Sequence, residues 1–177
     1  MIVMKKVFPL LIIILLFTSC SLGDSNMKEQ IANDKLMAEN RLEQILEGIQ
    51  NQDREAIKAA FSKNAISGSE DIEKSIDYLF DYFQGTIQSY EWSDNTIGPI
   101  SDGLIDHGKV QTELKSWFDV YTDKGMYVFF LLDYPKDTFD PNNVGLYSLR
   151  VVKEEEKDTR LTFWQDMKIV GIYIPEK

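Results

Sequence analysis

Few side chains in this 177-residue chain suit chemistry near neutral pH, and they lie far apart in sequence. His107, in SDGLIDHGK, is the only histidine. An imidazole with a pKa near 6.5 would serve as a general base. The glycine that follows it makes an exposed turn the competing reading. Asp133 closes the apolar run FFLLDY, and Asp166 stands in FWQDMK. A carboxylate on a half-buried strand is a candidate acid or base, because desolvation favours its protonated form. The competing reading for both is a solvent-facing group or one paired with a cation such as Arg150. Trp117, Tyr127, Tyr147 and Trp164 are candidates to line an aromatic ligand pocket, against the plainer reading that they are core beneath helices. DYPKDTFDPNN offers oxygen ligands at 133, 137, 140, 142 and 143, but the calcium-loop register D-x-D-x-D-G is absent. No second histidine accompanies His107 to make a metal set. No metal, no cofactor and no committed catalytic residue is therefore expected.

The direction of Asp133 decides between binder and enzyme. Facing a pocket, its charged form would lose hydration and its pKa would rise; facing the 135–143 segment, backbone amides would lower it. DYP reads as a turn entry, where Asp commonly accepts from the backbone, so Asp133 is expected to face the loop.

Cys20 is the chain's one cysteine, and its neighbours explain its position. Lys5 and Lys6 precede the uncharged run VFPLLIIILLF (residues 7–17), and Thr18-Ser19-Cys20 follows. At about 1.5 Å per residue this run is too short to cross a bilayer core of about 30 Å; the layout is that of a secretory signal peptide. Small residues before a cysteine at this place resemble the lipobox of bacterial lipoproteins, although Phe17 stands where leucine is commonest. The resemblance implies diacylglyceryl attachment to Cys20, cleavage just before it, and a membrane anchor on the extracytoplasmic face. The divisions expected are a signal peptide (1–19), a flexible tether (20–27) and one domain (28–177).

The remaining chain must position these groups. Ile31, Ala38, Leu42, Ile45, Leu46 and Ile49 mark one face of a helix over 28–50. Asp53 caps a second helix, 54–61. Ser67 and Glu70 fit a capping box, with Ser69 as an alternative cap, for a third that carries Ile72, Ile76, Leu79, Phe80 and Phe83. Beyond Gly85 the period changes. Strands are expected at 86–92, 109–122, 126–134, 144–152 and 159–174, with turn material at 94–103 and 135–143. Helices followed by a meander of strands predict an α+β fold.

That order resembles the nuclear transport factor 2-like cone, in which N-terminal helices pack on a strongly curved antiparallel sheet with a pocket at its open end. The segments RLEQILEGIQNQDREAIKAAFSKNA, SIDYLFDYFQG, NNVGLYSLRV and WQDMKIVGIYIPE also resemble Gram-positive lipoproteins of the domain of unknown function 5104 family. That family implies no activity and no site residues. The net charge of −10, without a Lys/Arg cluster, sets nucleic acid aside as a partner. The reading is a membrane-anchored, non-enzymatic domain that binds a small ligand or a protein. Its rivals are a hydrolase, lyase or isomerase using a pocket Asp, and an immunity-type inhibitor with an acidic surface.

Overall fold

A computed structural model describes residues 21–93, 98–156 and 169–174. Cys20, Trp164, Asp166 and most of the strand expected at 159–174 lie outside the described residues. The chain divides into two units, Met1–Asn33 and Asp34–Lys177. In the first, residues from Ser21 onward belong to helix α1 (Ser21–Asn51), so the segment expected to be a tether is helical. Ile31, read as part of the apolar stripe, is exposed together with Met27.

In the second unit the stripe is as the spacing predicts: Ala38, Leu42, Ile45, Leu46 and Ile49 are all buried. Two bonds close the helix, from the Gln52 amide to the Ile49 carbonyl (3.1 Å) and from the Asp53 amide to the Gly48 carbonyl (2.8 Å). Asp53 then caps α2 (Arg54–Ala60), accepting from the Ala56 amide at 2.9 Å. An unexpected short helix follows, α3 (Lys63–Gly68), capped by Ser62. It absorbs Ser67, so the capping box does not form. Asp71 caps α4 (Ile72–Tyr82) instead, accepting from the Lys74 amide at 3.0 Å. An Asp in extended conformation one residue before the helix satisfies a free amide more directly than Ser67 or Ser69 could.

Among the described residues six strands form one sheet: β1 (Ile87–Trp92), β2 (Ile100–Asp106), β3 (Lys109–Thr122), β4 (Gly125–Asp137), β5 (Gly145–Lys153) and β6 (Gly171–Tyr173). Their order is β1-β3-β4-β5-β6, with β2 also on β3. β3 is long enough to seat both short strands on one edge: β1 pairs with residues 118–122, and β2 with 109–115. β2 begins inside the segment expected to be a turn, where Gly98 and Pro99 obscured it. The pairings from β1 to β5 are antiparallel, but β6 runs parallel to β5, so the sheet is mixed rather than antiparallel throughout. N-terminal helices on an open, curved sheet make the fold α+β, an arrangement consistent with the nuclear transport factor 2-like cone.

Parity along the strands sorts the sheet into two faces. Phe118, Val120, Tyr127, Phe129, Leu131, Leu149 and Val151 join the α1, α2 and α4 stripes in the main core. Each such side chain contributes about 1.5–3 kcal/mol by leaving water. Val128 and Val152 belong to a separate cluster against Tyr173. Polar hooks orient α1 on the core. Glu43 accepts from the Tyr90 hydroxyl (2.6 Å), Glu39 from the Trp92 indole (3.0 Å) and Gln50 from the Ile87 amide (2.9 Å).

Candidate functional site

Asp133 and Arg41 form the one feature that unites burial, charge and a cavity. Asp133 lies on β4, with the same parity as Tyr127, Phe129 and Leu131. The register breaks beside it on both sides: between Thr112 and Leu114 on β3, and between Leu132 and Asp133 against β5. Bulges of this kind end regular pairing and free a side chain for another contact. Here the contact is with α1: Arg41 Nε donates to Asp133 Oδ2 at 2.5 Å, and Arg41 Nη1 donates to Gln44 Oε1 at 2.8 Å. Oδ1 of Asp133 is buried and completes no hydrogen bond. Burial raises the pKa of Asp133. The Arg41 charge, the Arg41 hydrogen bond and the Tyr134 backbone amide oppose that rise without cancelling it.

These residues line a cavity of about 330 Å³ between α1, β3, β4 and the start of β5. Leu114, Ser116 and Leu131 contribute from the sheet, Ala38 from the helix, and Met37, Pro135 and Val144 also line it. That volume is near the lower end for small-molecule sites, roughly 300–1,000 Å³, which are mostly apolar with a few placed polar groups.

The expectation for Asp133 is thus overturned. It faces the helix and the cavity, and its pKa is raised rather than lowered. The reason is that β4 does not stop at Tyr134 but continues to Asp137. Asp137 is the turn carboxylate instead. Its Oδ1 accepts from the amides of Phe139 (2.8 Å) and Asp140 (2.9 Å), and its Oδ2 from Gln111 Nε2 (2.6 Å) and Asn143 Nδ2 (3.0 Å). Burial pushes the Asp137 pKa up, but these four donors outweigh it and hold the pKa low. Asp140 accepts from Asn64 and from the Asn142 amide. The oxygens of the 133–143 segment are therefore occupied in shaping the turn and pinning it to α3.

The other candidates are not brought to the cavity. His107 sits at the tip of the β2–β3 hairpin at φ 46. Its side chain is 92 % exposed, and its one ion-pair partner is the adjacent Asp106. Trp117 lies on the opposite sheet face, its ring 5.0 Å from that of Phe130. Tyr127 is core, its ring 4.5 Å from Phe83, and its hydroxyl accepts from the Gln84 amide at 2.8 Å. Tyr147 is the extra residue at the β4–β5 bulge and stacks edge-on against Tyr134. The aromatic pocket therefore does not assemble from Trp117, Tyr127 and Tyr147, and Trp164 lies outside the described residues.

Sequence reading passed over Arg41 and Gln44, placing Arg41 on the solvent side of α1. A signal was present: Arg41 is three residues after Ala38 and four before Ile45, so it falls on the flank of the buried stripe. Its partner across the fold is 92 residues away, and no local pattern shows that.

Residues 44–154 match the family described as Domain of unknown function (DUF5104). The chain belongs to this family. The DUF5104 match contains Asp133, Gln44 and the sheet walls of the cavity, and it begins three residues after Arg41, the counterion. No curated protein matches the chain. Among the described residues no helix is long and apolar enough to cross a membrane.

Proposed function

We propose that this DUF5104 chain is a lipid-anchored, extracytoplasmic domain that binds a small ligand in the cavity between α1, β3 and β4. The observation that carries the binding reading is the buried carboxylate of Asp133 in the cavity wall, with one oxygen held by Arg41 and the other unbonded. Leaving a buried acceptor unpaired costs about 1–3 kcal/mol, and a bound donor would recover part of that. The anchor reading rests on Lys5, Lys6, the apolar run 7–17 and Cys20. Two acyl chains hold a protein stably where one is marginal, at about 0.8 kcal/mol per buried CH₂. Cys20→Ala is expected to abolish membrane retention, read by detergent phase partitioning. A variant that still partitions as the parent does would refute lipidation as the anchor.

The raised pKa of Asp133 favours a second reading, acid–base chemistry on the ligand. Asp133→Asn separates the two. A binding domain keeps at least partial affinity and shows no turnover in either form. An isomerase would exchange ligand protons with D₂O, and the substitution would stop that exchange. Exchange by the parent chain that Asp133→Asn abolishes would overturn the non-enzymatic reading.

A further inference from the structure

The charges and hydrogen-bonding groups of the cavity also limit what it can hold. Arg41 and Asp133 neutralise one another at the wall, so the site presents no net charge to a ligand. Its unspent groups are of both kinds. Arg41 uses Nε and Nη1 in its two bonds, leaving Nη2 as a donor. Gln44 accepts through Oε1, leaving the hydrogens of Nε2. Asp133 Oδ1 is an acceptor without a partner among the described residues. Around these groups the walls are hydrocarbon, from Ala38, Leu114, Leu131 and Pro135. Two more apolar side chains of the cavity stand open to solvent, Met37 at 39 % and Val144 at 46 %, and a bound apolar body would cover them.

We infer that the cavity takes an uncharged small molecule with an apolar body and one polar end that both donates and accepts hydrogen bonds, as an alcohol or a carboxamide does. The inference rests on the binding reading above. A carboxylate ligand could bond Arg41 only by sitting against Asp133, and an ammonium could bond Asp133 only by sitting against Arg41. In a largely desolvated site either ion leaves one buried charge opposed rather than paired, and that penalty is large. A neutral end donates to Asp133 Oδ1 and accepts from Arg41 Nη2 or Gln44 Nε2 without disturbing the ion pair.

Three probes with one ring test this on the full chain: cyclohexanecarboxamide, cyclohexanecarboxylate and cyclohexylmethylammonium. Binding is followed by the Arg41 Nε–H resonance, assigned by its loss in Arg41→Lys. The carboxamide is expected to shift that resonance and to bind about tenfold or more tightly than either ion at pH 7. In Asp133→Asn the guanidinium has lost its counterion, so the preference should pass to the carboxylate. If either ion equals the carboxamide on the parent chain, the uncharged class is overturned while the pocket stands. If none of the three moves the Arg41 resonance, the binding reading falls with it. The comparison on the parent chain decides the matter even if Asp133→Asn does not fold.

Discussion

Arg41→Met is expected to destabilise the domain by about 3 kcal/mol at pH 7, the low end of the cost of stranding one partner of a buried ion pair. Methionine keeps much of the volume of the arginine stem but leaves Asp133 without a counterion. The deficit depends on pH in a direction set by the raised pKa of Asp133. Below the unfolded value of about 3.9 both states carry the proton, and the variant loses little. As pH rises through that value the unfolded chain ionises while the folded variant holds its proton. The variant therefore loses stability with rising pH until the folded pKa is passed, and the deficit is then constant. Arg41→Met/Asp133→Leu, which removes both charges, should recover most of the loss. Urea melts at pH 4 and pH 7 read all three proteins. An equal deficit at both pH values, or a double variant no better than the single, would show that Asp133 is not a buried charge dependent on Arg41.

The second large effect is expected at Gly145→Ala. Gly145 has φ +122, a conformation that disfavours any side chain, and an added Cβ would lie 3.0 Å from the Ser62 amide nitrogen and 3.2 Å from the Ala60 carbonyl oxygen. Both neighbours are backbone and cannot rotate away. They belong to the link between α2 and α3, which docks on β5 through the bond from the Ser62 amide to the Leu146 carbonyl (2.9 Å) and the Phe61–Leu146 bridge. Strain and overpacking together should cost about 3 kcal/mol. The urea midpoint should fall with an unchanged slope. A midpoint shift worth less than about 0.5 kcal/mol, the scale of an ordinary surface change, would mean that β5 and the α2–α3 link do not touch as described.

Much of the fold was legible because period carries it. The alternation in 109–122 and 126–134 located β3 and β4, and the spacing from Ala38 to Ile49 located the buried face of α1. What failed was local turn chemistry set against strand continuity. DYP looked like the end of β4, yet Tyr134 and Pro135 remain in the strand, and the turn chemistry appears four residues later at Asp137. Parity alone would have put Asp133 beside Leu131 on the helix-facing side, and it was the better guide. β2 was missed for a different reason. All seven of its residues are exposed, so it has no buried face to impose an alternating pattern. Arg41 could be placed on the flank of a stripe, but nothing near it in sequence could name Asp133 as its partner.

The distance between such partners has a kinetic consequence. Synthesis delivers the chain from its N-terminus, so α1 emerges with Leu42, Ile45 and Ile49 uncovered and Arg41 unpaired. The strands that complete the core are made last: β4 supplies Asp133, and β5 supplies Leu149 and Val151. Until then the helical half holds an apolar face with nothing to bury it, the condition under which chains associate wrongly. A nucleus confined to the helices cannot commit the fold, because the decisive contacts close loops of about the length of the domain itself, and closures of that span slow folding. The Arg41–Asp133 pair is thus a late contact, absent when the barrier is crossed. Strengthening or weakening it would act mainly on the rate at which the finished domain opens.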